Sequence, residues 1–203
     1  MKLPIHKKSN EGFTLIEILI VVAVLGVIAA IAAPSVTNAL ERRSTVRQIE
    51  AVSDTFTQNA RQLILTTGAP ASVTATPLIR AGNDFLDILV AGEDFIAAGF
   101  EQGYRDAGIL PTDRLLNTTT APVQDTSTGV YEVKGYTVTL NSPAVGTLHT
   151  IIAGVPSEIV ERLVNDREGG GFDPGTADVT GAVQHDIAAA DGTHNLTLQS
   201  RLN

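Results

Sequence analysis

Glu17 is the only ionisable side chain between Phe13 and Ala33, in the run Phe-Thr-Leu-Ile-Glu-Ile-Leu-Ile-Val-Val-Ala-Val-Leu-Gly-Val-Ile-Ala-Ala-Ile-Ala-Ala. A carboxylate in hydrocarbon costs about 2.5–3.5 kcal/mol on insertion scales, so an acid in such a place is a functional hypothesis by default. No Lys or Arg lies within the run. The partner must then be a lipid headgroup, interfacial water or a group on another molecule. A cut after Gly12 would create one such cation, the α-amino group of Phe13, one helical turn from Glu17. The plain alternative is an interfacial Glu that snorkels to water.

Other candidates are weaker. Asp166, Glu168, Asp173 and Asp178 surround the glycines 169–171, and hard oxygen ligands on pliable backbone suit Ca²⁺. Their spacing matches no EF-hand, so a solvated loop and no metal are expected. His149, His185 and His194 are too scattered in sequence to define a zinc site. Ser35, Ser157 and Ser200 lack the glycine pattern of a nucleophile elbow. Zero Cys excludes disulfides, thiolate zinc and cysteine nucleophiles. Fourteen Lys+Arg against 22 Asp+Glu, a net charge of -8, speak against a nucleic-acid partner. No catalytic residue and no cofactor are expected, and the chain does not read as an enzyme.

The elements that position Glu17 begin with the run itself. Its 21 residues would span roughly 31 Å as a helix, about the thickness of a bilayer core. Lys2, Lys7 and Lys8 ahead of it predict a cytoplasmic N-terminus, with everything after Ala33 outside the cytoplasm. A secretory signal peptide has an apolar core of about 7–15 residues. The run here is longer, although Ala29 to Ala33 offers small residues of the kind a signal peptidase accepts.

Lys7-Lys8, then Gly12-Phe13-Thr14-Leu15-Ile16-Glu17, an unbroken apolar stretch with Gly26, and Pro34 at its end resemble the N-terminus of type IV prepilins and type II secretion pseudopilins. The resemblance covers about residues 7–34. It implies a leader, residues 1–12, removed by a prepilin peptidase after Gly12, with methylation of the new N-terminal Phe13. It also implies a transmembrane and assembly helix over 13–34, with Glu17 and Pro34 as assembly residues, and an extracytoplasmic pilin-like domain over 35–203. The implied partners are the peptidase, an inner-membrane assembly platform, the membrane and other pilin or pseudopilin subunits. The implied place is the bacterial inner membrane and then a filament. Many major pilins pin their C-terminal region with a disulfide, impossible here, which tilts the resemblance toward a pseudopilin or minor pilin. The alternative is a membrane-anchored periplasmic binding or adhesion module that shares the processing and never polymerises.

Beyond the run, Pro34 removes an N–H and should kink or locally melt the helix. Val36, Leu40, Val46, Ile49, Val52, Phe56, Ala60 and Leu63 predict an amphipathic continuation to about Leu65. Residues 66–77 read as a loop. Asp84 should cap a second helix reaching about Ala107, its aromatic stripe belonging to the core, and 117–128 reads as another loop. Val130 to Leu140, with a bulge or turn at Gly135, and Leu148 to Ala153 predict strands. Ser157 should cap a short helix, Glu158 to Val164, and Asp191-Gly192 should turn a hairpin between Ala182–Ala189 and His194–Leu198. The expected fold class is α+β: a long N-terminal helix, half membrane-spanning and half amphipathic, packed on a C-terminal antiparallel sheet.

Overall fold

The computed structural model describes residues 14–74, 76–110, 112 and 114–202, apart from the side chains at 34 and 35. They fall into two compact units, Met1–Arg42 and Arg43–Asn203. Helix α1, Leu15–Thr67, contributes to both.

In the first unit every described side chain is exposed. Leu15 and Ile31 are 83% and 75% accessible. By length and composition α1 can cross a membrane. The helix runs unbroken through position 34, where the sequence predicts a kink or local melting, and the Thr37 hydroxyl donates to the Ala33 carbonyl at 3.2 Å. Val36 and Leu40, expected in the amphipathic stripe, are exposed.

In the second unit the stripe is real from Val46 onward. Val46, Ile49, Val52, Phe56, Ala60 and Leu63 recur every three or four residues and are buried in one core with the sheet. Polar side chains fix the helix lengthwise. The Asn59 amide donates to the Leu110 carbonyl at 2.9 Å and accepts from the Leu110 N–H at 2.8 Å. Gln48 donates to Leu115 O, Arg61 donates to Arg201 O, and Arg167 pairs with Glu50 at 3.2 Å.

The expected helix from Asp84 to Ala107 is instead three pieces: α2 (Phe85–Ala91), a 3₁₀ turn (Glu93–Phe95) and α3 (Glu101–Ala107). Gly92 and Gly99 sit at φ of 103° and 94°, which no helix accommodates. The aromatic stripe is core, as expected: Phe85 is buried, and Phe95, Phe100 and Tyr104 pack against it.

Six strands form one sheet in the order β1-β2-β3-β4-β6-β5, every neighbour antiparallel. They are β1 (Asn117–Thr120), β2 (Val130–Val133), β3 (Tyr136–Asn141), β4 (Thr147–Pro156), β5 (Val183–His185) and β6 (Thr193–Arg201). The segment 117–128, read as loop, supplies edge strand β1. Its four exposed residues Asn-Thr-Thr-Thr show no alternation, so only pairing with β2 reveals it. Lys134 and Gly135, both at positive φ, form the two-residue turn between β2 and β3. Helix α4 (Ser157–Glu168) buries Ile159, Val160, Leu163 and Val164, the face expected. Strand β5 is shorter than predicted, and residues 186–192 form a longer connection whose turn closes from the Gly192 N–H to the Ala189 carbonyl.

One buried acid clamps the loops to this frame. Asp87 accepts from Tyr131 Oη at 2.7 Å, Gly129 N at 2.9 Å, Asp84 N at 3.0 Å and Asn83 Nδ2 at 3.3 Å. Burial and the Asp87 carboxylate push the Tyr131 hydroxyl far above its ordinary range, so it stays a donor. Asp84, the N-cap of α2, completes a capping box with Asp87. Burial pushes the Asp84 carboxyl up, opposed by the Asp87 N–H and reinforced by the Asp87 charge. An acid with a raised folded-state pKa holds its proton more tightly in the folded state. It therefore stabilises at low pH, and that contribution is lost as pH rises through the raised value. Asn caps as well as Asp does and carries no charge. Asp84→Asn should therefore raise Tm at pH 7, and the gain should fade as the pH is lowered to about 3.5. Thermal melts at both pH values check this, and a lower Tm at pH 7 contradicts it.

Candidate functional site

The start of α1 is a capping box. A helix leaves its first N–H groups without intrahelical partners. Here Thr14 Oγ1 accepts from the Glu17 N–H at 3.3 Å, while Glu17 Oε2 accepts from the Thr14 N–H at 2.8 Å and from the Thr14 hydroxyl at 2.9 Å. The T-x-x-E spacing ahead of an apolar run is the signature of this motif. Thr14 is thus a residue that the sequence reasoning about Glu17 missed, although the signal was present. Its two donors are partners for the carboxylate inside the same chain, and the negative charge lies at the favourable end of the helix dipole. Gly12 and Phe13 lie outside the described residues. Position 34 lies within α1.

The four acids suggested for Ca²⁺ are drawn into different local contacts. Asp166 pairs with Arg162 at 3.8 Å, and Glu168 Oε1 accepts from the Val183 N–H at 2.9 Å. Asp173 accepts from Gly175 N and Thr176 Oγ1, and Asp178 from Thr180 N and Thr180 Oγ1. Among the described residues no group of three His, Cys, Asp or Glu is placed to hold a metal ion.

The histidines are less scattered in space than in sequence. His149 is half-buried on β4, and burial pushes its imidazole pKa down. His185 and His194 are buried with ring centroids 5.4 Å apart, and Phe172 packs on both at 4.9 and 5.4 Å. Ser157 joins them. It is the first residue of α4 rather than its N-cap, which is Pro156. Ser157 Oγ lies 2.9 Å from His194 Nε2 and donates to the Gly192 carbonyl at 2.9 Å.

His194 Nδ1 lies 2.8 Å from the Asp186 carbonyl and 3.8 Å from its carboxylate. Serine, imidazole and aspartate in this order resemble a nucleophilic triad, but the access and bonding differ. The His194 side chain is wholly buried, the Asp186 carboxylate is taken by Asn195 N and Nδ2, and the Ser157 N–H is spent on Gly192 O. The array braces the start of α4 against the β5–β6 connection. Ser157 should therefore not react with a fluorophosphonate serine probe. Labelling that Ser157→Ala abolishes would contradict the bracing role.

A capped apolar helix of spanning length, beginning two residues after a Gly-Phe bond, defines an N-terminal segment of prepilin type on an α+β, pilin-like fold. Residues 7–33 match the family model described as "Prokaryotic N-terminal methylation motif". Two curated relatives, each a "Fimbrial protein" of Pseudomonas aeruginosa, are 46% identical to this chain over 46 residues, 23% of this chain and 30% of each relative. The chain thus spans less than a third of the length of these relatives. No solved structure matches.

Proposed function

We propose that this chain is a structural subunit of a type IV pilus-like or type II secretion pseudopilus filament. It is made as a prepilin with leader 1–12, helix 13–34 in the inner membrane and domain 35–203 beyond it. The peptidase cleaves between Gly12 and Phe13 and methylates Phe13. The assembly platform then moves the subunit into a helical fibre, and Pro34 marks the end of the membrane segment. The observation that carries this reading is the methylation motif over residues 7–33, together with the exposure of every apolar side chain of α1 from Leu15 to Ala33. An exposed apolar surface of that kind needs lipid or a bundle of like helices. The role is structural, with no catalytic residue assigned.

Glu17 gives the assembly its register. Thr14 takes Oε2, and a carboxylate has about four lone-pair sites, so Oε1 has capacity for the Phe13 amine of a neighbouring subunit. A subunit out of register would leave both charges without partners in an apolar setting, the expensive case. Intact-mass measurement of the protein from cells containing prepilin peptidase should give a chain starting at Phe13 with one added methyl. Retained Met1, or a start near Ser35, contradicts the processing.

The ranking of Glu17 variants tests the pairing. Glu17→Gln keeps a neutral acceptor and loses the charge-assisted part, worth about 1.5–3 kcal/mol in general. Glu17→Lys sets two like charges against each other. Co-purification with sheared wild-type filaments should therefore fall for Gln and fall further for Lys. Equal entry of all three forms contradicts the register role, and entry of none of them, the unchanged chain included, favours a module that is anchored without polymerising.

A further inference from the structure

Arg43, Val46, Arg47 and Glu50 of α1 line one groove of about 200 Å³ together with Arg162 and Asp166 of α4. Positions three and four apart share one face of a helix, so the α1 side chains form a single wall. Val46 is buried and makes an apolar floor, while Arg43 and Arg47 are exposed. The groove belongs wholly to the second unit and contains Arg43, the residue at which α1 enters that unit.

The charges in and around the groove do not cancel. Glu50 accepts from Arg167 Nε at 3.2 Å, and Arg167 Nη2 lies 3.6 Å from Asp54. Asp166 lies 3.8 Å from Arg162 Nε, a contact that spends neither Nη group of Arg162. Among the described residues no carboxylate pairs with Arg43 or Arg47. Four guanidiniums thus stand against three carboxylates, and two of the four keep their forks unspent. This local excess occurs in a chain with 22 acidic and 14 basic residues, in which Arg42, Arg43 and Arg47 fall close together.

The complement of such a groove is an oxyanion with several acceptor oxygens. A guanidinium is a planar fork that takes a phosphate or carboxylate through two N–H groups at once, and two forks one helical turn apart can share one anion. The place of the groove in the chain decides between the anions. By length and composition α1 can cross a membrane, and Arg43 and Arg47 follow the apolar run in the same helix. Basic side chains just beyond a spanning segment are attracted to anionic headgroups. Lipid phosphates are at hand whenever the helix is inserted, whereas a carboxylate of another copy is at hand only after assembly.

We propose that the groove between α1 and α4 binds the phosphate diester of an anionic lipid headgroup, held by Arg43 and Arg47 with Arg162 on the opposite wall. The contact ties the second unit to the headgroup layer while α1 is inserted, and it is released when the subunit leaves the bilayer. A zwitterionic headgroup fits less well, because its own ammonium group already neutralises the phosphate. This role rests on α1 crossing a membrane and does not depend on polymerisation.

The test uses the full-length chain inserted in vesicles of phosphatidylglycerol and phosphatidylcholine in equal amounts, then released into mild detergent. Native mass spectrometry counts the lipid each chain retains. The unchanged chain should retain phosphatidylglycerol over phosphatidylcholine about tenfold, a preference that falls as salt rises. Arg43→Gln with Arg47→Gln should bring the ratio close to one, whereas Arg43→Lys with Arg47→Lys keeps the charge, loses the fork and should keep part of the preference. Inorganic phosphate in molar excess should leave the ratio unchanged, and loss of the preference would reassign the groove to a free anion. Equal retention of the two lipids by the unchanged chain, or an unaltered ratio in the Gln pair, overturns the lipid contact. An unaltered ratio together with loss of the Gln pair from sheared filaments gives the groove to a carboxylate of another copy instead. If the unchanged chain never enters vesicles, the membrane reading of α1 fails and the lipid contact falls with it.

Discussion

A carboxylate at the head of an apolar helix must have hydrogen-bond donors, and the chain supplies them from its own Thr14. Everything the first unit can do depends on that arrangement. Without it, the carboxylate and the Thr14 N–H would lose their partners at the head of an apolar helix, where each is costly. With it, the helix has a defined first residue and its charge sits where the dipole favours it. The capping box and the proposed pairing across subunits are compatible, because the box engages one oxygen and the pairing needs the other. On this view Glu17 sets the register of its own helix before it sets that of a neighbour.

The second unit faces a different constraint. It has no cysteine to close its long connections, so main-chain groups in the loops are held by side chains from regular elements. Asn59 holds Leu110 through both ends of its amide, Gln48 holds Leu115, and Arg61 holds Arg201 near the chain's end. Asp87 does the same for the loop before β2 with four donors around one carboxylate. A hydrogen bond to a charged group is worth about twice a neutral one.

The parts legible from sequence were those where one local signal dominates. The apolar run, the stripe from Val46 to Leu63, the buried face of α4 and the Gly135 turn each follow from periodicity or from a backbone demand on one residue. Illegible parts depend on partners distant in sequence. Strand β1 has no alternation because both its faces are exposed, and only β2 reveals it. Ser157 reads as a cap until His194 and Gly192, more than thirty residues on, are seen to claim its hydroxyl. The broken helix between Asp84 and Ala107 is a case of misjudged weight: its glycines were visible, but their positive φ was not. At the candidate site, Glu17 reads from sequence as an isolated charge, and its Thr14 partner follows from the T-x-x-E spacing.

Glu17 is paired within its own helix start and, on the proposed assembly, also with the amine of a neighbour. A helical reconstruction of filaments containing this chain, at a resolution that shows side chains, tests it most directly. The expected result is a core of α1 helices in which each Glu17 carboxylate lies within about 3 Å of the Phe13 amine of an adjacent subunit, with Thr14 still on the other oxygen. Filaments in which the Phe13 amine points away from every Glu17, or in which the leader is still attached, would contradict it.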